Sequence, residues 1–481
     1  MTENELLHSA HEEIDRQGSE TKPLYISKIS LTGEDGSSPL SDSLCKAILG
    51  DALSQPLQNV ENSIHVFEHV KRKLLLTGLF KDVTVTLDND IDGAPLGMLR
   101  KGIPQNLGLE MPLLTHARIW LHPTVNLDSL MATTTLSDDV ISLVGRKTWR
   151  NLLGQADAET LNLGFHWNPV SSHWDAKSIK GTFSLPLVKV PSVRAVLQVQ
   201  SSQRGLRSRP FVTQEDEHTE QEFSVDAGFE KRWLCDKSRS MPLLYTGISV
   251  ARRNLQRLGP KASQLYSTFT GPFDKTSILS YFTHDTRKCV GSFPLSGSQL
   301  TCKNDYVISQ WQGSSKQLPQ SKNFDKAEIQ FQHHASYWAN RITRSLELQG
   351  GGIYFLGSET QIVHPQDRFY LGGLNSLKGF HFNGVGLGGR NFYYKLGLSV
   401  SHKLINTPLE SPLRLQYFLN VGNSAGDLKT TFDSYAAATG VSLLYKTPEA
   451  VMDLTYAHPL TARPGDLSKP GLSLGVSLSF F

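Results

Sequence analysis

Two periodicities of apolar residues divide the chain near residue 125. In "VENSIHVFEHVKRKLLLTG" (60–78), Val60, Ile64, Phe67, Val70 and Leu74 recur at three- and four-residue spacing. That spacing predicts a helix over 60–77 with one apolar stripe, and Gly78 stands where a C-cap belongs. A shorter helical stretch is expected at 40–50. Around these helices "LYISKISLTG" (24–33), "FKDVTVTLDND" (80–90) and "HARIWLHP" (116–123) alternate as strands do. The predicted order over 23–124 is β-α-α-β-β, with an irregular insert near 91–114. Residues 1–22 are polar and read as a flexible tail.

From 125 to 481 the pattern has period two, with no long amphipathic helix. "KLGLSVSHKL" (395–404) sets Leu396, Leu398 and Val400 against Lys395, Gly397, Ser399 and Ser401. "LRLQYFLNVGN" (413–423) opposes Leu413, Leu415, Tyr417, Leu419 and Val421 to Arg414, Gln416, Phe418, Asn420 and Gly422. "GLSLGVSLSFF" (471–481) opposes Leu472, Leu474, Val476, Leu478 and Phe480 to Ser473, Gly475, Ser477 and Ser479. A soluble β-sandwich would alternate too. Length separates the two: these segments run roughly nine to twelve residues, against about five or six for ordinary strands. About sixteen such segments fit between residue 129 and the end. One face of each is rich in Gly, Ser, Gln, Asn and charge, as a wet lumen requires. Trp167, Tyr245, Trp338, Tyr393, Tyr445 and Phe481 stand toward segment ends, where interfacial girdles lie. The expected fold is an all-β transmembrane barrel of about 16 antiparallel strands, preceded by a small α+β module.

Composition narrows the function. A net charge of +3 gives no nucleic-acid footprint. Cys45, Cys235, Cys289 and Cys302 lack C-x-x-C spacing, so neither a disulfide framework nor a zinc site is expected. No apolar run approaches the roughly 20 residues of a membrane helix, a test to which a β-barrel is blind. The first twenty residues show neither a secretory pattern nor a transit-peptide pattern.

Two catalytic motifs occur literally and fail in context. Gly384, Gly386 and Gly389 spell G-x-G-x-x-G, but a strand follows where a dinucleotide site needs a helix. "GLSLG" (471–475) spells G-x-S-x-G, but Ser473 lies mid-strand with no partners downstream. His333 and His334 are adjacent on a strand, so they point to opposite faces and cannot share a metal. No catalytic residue, metal site or cofactor is expected, and the chain is not expected to be an enzyme.

At this point the residues carry a resemblance. One β-α-α-β-β module followed by a barrel of this size looks like the POTRA-plus-barrel superfamily of outer-membrane assembly factors. "LGGLNSLKGF" (371–380) resembles the family's long-loop signature, which here reads Leu377-Lys378-Gly379-Phe380. "RNLLGQADAETL" (150–161) resembles its early-barrel turn, "DTRKCVGSFPLSG" (285–297) its mid-barrel segment, and "FLNVGN" (418–423) a late strand. The run from Ser473 to Phe480 fits the mitochondrial β-signal. Within the superfamily the chain is most similar to core barrel subunits of the mitochondrial sorting and assembly machinery (the SAM complex), because it shows one module and no secretory signal.

The resemblance implies a function: insertion and folding of β-barrel precursors in the mitochondrial outer membrane, with the POTRA-like domain in the intermembrane space. It implies a lateral gate between the first strand, carrying Ser129, Leu130, Met131, Ala132, Thr133, Thr134 and Thr135, and the last, carrying Ser473, Gly475, Leu478 and Phe480. Gly475 is expected to weaken packing on the inner face of the last strand. It further implies that the signature loop folds into the lumen, held by an Arg–acid pair. Here the Arg is Lys378 and the family's Asp is Asn420, so two partners stay open for Lys378: Asn420 and Asp453. Asp285 and Arg287 are further candidate anchors. Implied partners are precursors of the porin and general import pore type, peripheral SAM subunits on the cytosolic side, and membrane lipid, with no nucleic acid. A passive outer-membrane channel and a secretion barrel of the same superfamily are the alternatives.

Overall fold

A computed structural model of the chain describes residues 23–33, 39–90, 113–123, 128–137, 140–169, 173–205, 218–235, 240–256, 267–312, 323–356, 363–404 and 407–480. The expected tail (1–22) and most of the expected insert (91–112) lie outside them. Chain packing groups the residues into two compact units.

The first unit reaches Asp128 and also takes in two short segments, 149–158 and 185–194. Its elements are β1 (Pro23–Thr32), α1 (Asp42–Ile48), α2 (Gly50–Ser54), β2 (Leu57–Asn59), α3 (Val60–Leu76), β3 (Phe80–Asn89) and β4 (Leu113–Pro123). The sheet order is β2-β1-β4-β3, with β1 parallel to β4 and β3 antiparallel to it. Leu44, Ile48, Phe67, Val70 and Leu74 from the helices pack on Ile26, Val83, Ile119 and Leu121 from the sheet. The buried face of α3 runs through Ser63, Phe67, Val70 and Leu74. Ile64, expected in that stripe, sits at its edge and is 49% exposed. The helical stretch at 40–50 is broken at Leu49–Gly50 into α1 and α2.

Within the same unit, the turn at 149–158 is a built structure. Asn151 and Gly154 adopt positive φ. Asp157 is fully buried and accepts from the backbone N–H groups of Leu153 and Gln155. Buried Arg194 donates to the carbonyls of Thr77 (3.1 Å) and Ala156 (2.8 Å). Thr77 caps the end of α3, where carbonyls lack helical partners, so the guanidinium satisfies one of them.

The second unit is a closed barrel. Its walls are β5 (Asp128–Ser137), β6 (Val140–Arg150), β7 (Ala158–Asn168), β8 (His173–Leu187), β9 (Val190–Gly205), β10 (Thr219–Arg232), β11 (Leu243–Gln256) and β12 (Gly271–Asp285). After the short β13 (Lys288–Val290) come β14 (Phe293–Gln312), β15 (Phe324–Tyr337) and β16 (Ile342–Phe355). The loop strands β17 (Phe369–Leu371) and β18 (Val385–Arg390) pair with each other. The walls finish with β19 (Phe392–Lys403), β20 (Leu413–Ala425), β21 (Ala436–Lys446), β22 (Ala450–Thr461) and β23 (Gly471–Phe480). Sixteen of these strands form the wall, each antiparallel to the next where register is defined, and β13 only extends the β12–β14 connection.

Alternation decides which side chains face lipid. Leu472, Leu474, Leu478 and Phe480 stand exposed on β23, while on β22 Thr455 and Ala457 are buried inside and Leu454 and Tyr456 exposed. With no water in the hydrocarbon, every backbone N–H must find a partner within the sheet, and closure supplies it. Among the described residues no helix is long and apolar enough to cross a membrane.

Candidate functional site: the lumen loop and the closing seam

The described part of the connection from β16 to β19, residues 363–391, packs inside the barrel. Leu371, Leu377, Phe380 and Val385 pack into one buried cluster with Val307, Ile353, Tyr393 and Ala438 of the walls. Leu377 is fully buried and Phe380 is 1% exposed. The loop therefore fills lumen space.

Lys378 resolves the question left open by the sequence. Its ammonium donates to Asp453 Oδ2 at 2.8 Å, Ser442 Oγ at 2.9 Å and Thr455 Oγ1 at 3.2 Å. Three acceptors match the three N–H donors of an ammonium. The nitrogen also lies 5.1 Å from the centroid of the Phe418 ring. Asn420 makes no hydrogen bond with Lys378; both line a cavity of about 260 Å³ beneath the loop. Asp285 and Arg287 are not at the loop. They bond each other at 2.7 Å, and Arg287 reaches Gln332 on the wall. Two residues apart across the β12–β13 turn, they find each other first.

The next residue explains the Lys-Gly order. Gly379 has φ +89°, and a Cβ there would stand 2.7 Å from the Cβ of Ala438 and 3.6 Å from that of Ala457. Only glycine combines that conformation with so close an approach to β21 and β22. Beyond it the loop pairs with the segment that leads into β23. His381 donates its N–H to the Leu467 carbonyl (3.0 Å), Leu467 to Gly384 (2.8 Å) and Lys469 to Gly379 (2.8 Å). Gly386 donates to Asp466 Oδ1 (3.0 Å), a carboxylate also held by Arg463. The central glycine of G-x-G-x-x-G thus meets a carboxylate of the same chain.

A second anchor lies at the start of the loop. Asp367 is buried and accepts from Arg253 on β11 (2.8 and 3.2 Å) and from Lys275 on β12 (2.8 Å). Burial opposes its charge, but the two cations hold its carboxyl well below the usual carboxylate range. Beside it, His364 packs between Phe269 and Phe273. Burial, reinforced by Arg253, pushes that imidazole down to about 3. Counted along the wall, β11 and β22 are eight strands apart in a ring of sixteen. The loop is therefore tied to opposite sides of the lumen.

The sequence reading missed Asp367, Arg253, Asp466 and Arg463. Asp466 follows a Pro-Gly turn, which is visible in sequence, but nothing local links it to a loop 80 residues earlier.

The seam is the other half of the site. β23 pairs with β5 over five residues, from Val476↔Leu136 to Phe480↔Ala132. Fourteen pairs join β10 to β11, and twelve join β19 to β20. Thr133, Thr134 and Thr135 take part, facing Ser479, Leu478 and Ser477; Ser129, Leu130 and Met131 have no partner on β23 among the described residues. Ser473 and Gly475 pair with Thr455 and Asp453 of β22 and lie outside the β5 ladder. Gly475 does not leave an unfilled face: the loop's Leu374 occupies it, with Cδ2 2.7 Å from where a Cβ would stand. The expected gap is a socket for the loop.

Residues 151–480 match the Omp85 superfamily domain. A SAM50-like protein of Schizosaccharomyces pombe is 28% identical over 245 residues, 47% of this chain and 49% of that protein. The sorting assembly machinery 50 kDa subunit of Saccharomyces cerevisiae is 29% identical over 204 residues, 37% of this chain and 41% of that protein. The matched part of the chain spans half or less of these curated relatives. Among solved structures, BamA from Haemophilus ducreyi lacking POTRA domains 1–3 aligns with a TM-score of 0.69 at 12% identity, covering 95% of this chain and 85% of that one. CdiB from Escherichia coli aligns with a TM-score of 0.53 at 14% identity, covering 96% and 92%. These likenesses show a common fold, and with a domain match over most of its barrel the chain belongs to the Omp85 superfamily.

Proposed function

We propose that this protein inserts and folds β-barrel precursors in the mitochondrial outer membrane, templating them at the seam between its first and last strands. The observation that carries the reading is the five-residue ladder between β23 and β5, against eight to fourteen in the other wall ladders whose register is described. A barrel is stable in lipid because it has no free edge, so a short ladder is the cheapest place to open one. Opening exposes β5, whose Thr133–Thr135 segment then offers backbone donors and acceptors to an incoming C-terminal strand. Each added precursor strand pairs with the one before it, and no covalent step is needed, so the protein acts without cofactor or catalytic residue.

The lumen loop supports the same reading. Its backbone bonds to residues 467 and 469 hold the segment entering β23, and Leu374 sits on Gly475, so the loop steadies the strand that must separate. In this reading the N-terminal module stands in the intermembrane space, precursors are of the porin and import-pore type, and peripheral subunits bind on the cytosolic side.

The test is site-specific cross-linking. Single cysteines at 129–137 are expected to capture the C-terminal strand of an arriving precursor in isolated organelles, and cysteines at mid-barrel positions such as 330 are not. Adducts found only on the N-terminal module would overturn the proposal.

A further inference from the structure

The lipid face of the barrel carries one concave site that the assembly reading does not use. A cavity of about 830 Å³ opens on the outside of β7 to β12. Its walls are Phe165, Ile179 and Phe223, all exposed and outward-facing. Between them β9 presents Ser201, a small side chain among large ones, and the surface dips there. Lys177 and Arg252 stand at its rim.

Those two cations are unusual on a surface that faces hydrocarbon. Lys177 makes no ion pair among the described residues, and its ammonium lies 5.6 Å from the Trp174 ring centroid. Trp174 in turn meets Phe165 edge-on at 6.3 Å. Arg252 approaches Asp274 at 3.6 Å but keeps a side chain 66% exposed. Glu222, which also lines the cavity, points its carboxylate to Arg253 on the lumen side. The rim is therefore net positive.

Depth fits as well. Lys177 is four residues from the start of β8 and Arg252 four from the end of β11, both at the end where β7 joins β8 and β11 joins β12. At 3.3 Å per residue that is about 13 Å along the strand, less when tilted. β8 has 15 residues, whereas about 9–11 cross the hydrocarbon, so its outer residues reach the headgroup layer. Long cationic side chains at that level extend to polar headgroups while their stems cover apolar surface.

We infer that this cavity is a binding site for a glycerophospholipid with an anionic headgroup. Its phosphate accepts from Lys177 and Arg252, and its acyl chains lie over Ser201 between Phe165, Ile179 and Phe223. The apolar walls select a lipid over a free phosphate, and the two cations select an anionic headgroup over a zwitterionic one.

Native mass spectrometry of the full chain in neutral detergent tests this with dioleoyl phosphatidylglycerol as probe. One saturable lipid is expected, retained at detergent concentrations that strip phosphatidylcholine. Lys177→Glu with Arg252→Glu should weaken it at least tenfold. Ser201→Trp, which fills the dip without altering charge, should weaken it comparably, and Lys429→Glu, on a distant turn, should not. Heat-modifiable gel mobility confirms that each variant is a folded barrel. The inference is overturned if the folded double variant binds phosphatidylglycerol like the parent, if phosphatidylcholine binds equally well, or if glycerol phosphate competes at concentrations equal to the lipid.

Discussion

The Lys378 ammonium sits 2.8 Å from the Asp453 carboxylate, and Asp453 is itself paired with Gly475 of the last strand. One ion pair thus connects the signature loop to the strand beside the seam. Both side chains are largely shielded, at 15% and 22% exposure. Breaking one partner of such a pair leaves a charge with no counterpart and costs about 3–5 kcal/mol when fully buried, less here because some solvent reaches it. Lys378→Ala and Asp453→Asn should each free the loop, seen as faster protease cleavage within 371–390. Asn420→Ala should leave cleavage unchanged, since Asn420 does not bond Lys378. Equal sensitivity of all three would contradict the assignment of Asp453 as the partner.

Gly379 offers a steric test of the same docking. Gly379→Ala places a methyl 2.7 Å from the Ala438 Cβ and strains a backbone at φ +89°. Overpacking of this kind costs about 1–3 kcal/mol. Adding Ala438→Gly should recover the packing part of the loss and not the conformational part. A double variant no more thermostable than Gly379→Ala alone would show that the clash is not what matters.

The second anchor gives a pH dependence. His364 has a folded pKa of about 3 against an ordinary 6.5, set by burial together with Arg253, Lys275 and Arg368, which outweigh Asp367, while Glu220 lies 3.9 Å from the ring. The depressed value means the docked loop holds fewer protons than the undocked one between those limits. Docking is therefore at full strength above pH 6.5 and weakens as pH falls toward 3, by about 2 kcal/mol at pH 5. Hydrogen exchange of the 363–371 amides should accelerate between pH 7.5 and 5 beyond the change in intrinsic rate. In His364→Gln that excess should vanish.

The seam can be locked. Thr133 and Ser479 face each other, with hydroxyl oxygens 3.4 Å apart. Opposed residues of an antiparallel pair lie close to the span a disulfide needs. Thr133→Cys with Ser479→Cys should cross-link on oxidation and abolish precursor insertion, and reductant should restore it. Insertion that continues through a locked seam would place the route elsewhere. The native thiols at 45, 235, 289 and 302 belong to other elements, and the parent chain, which carries only these, is oxidised in parallel as the control.

Much of this protein was legible in its sequence because the signals are local. Alternation with period two fixed which residues of β19, β20 and β23 face lipid, since a strand turns each successive side chain to the opposite face. The 3.6-residue stripe located α3, and the motif at 377–380 marked the loop. What the sequence could not decide was which distant groups meet. Lys378 had two polar residues within plausible reach, and only the register of β21 against β22 brings Ser442, Thr455 and Asp453 around one ammonium. Asp367, Arg253 and Lys275 lie on three separate segments, and only barrel closure points them at one spot in the lumen. Gly475 read as a weak point because its neighbour in space, Leu374, is a hundred residues earlier in the chain. Local periodicity follows from backbone geometry and is written residue by residue. Pairings across a lumen depend on strand register and closure, which are properties of the whole sheet.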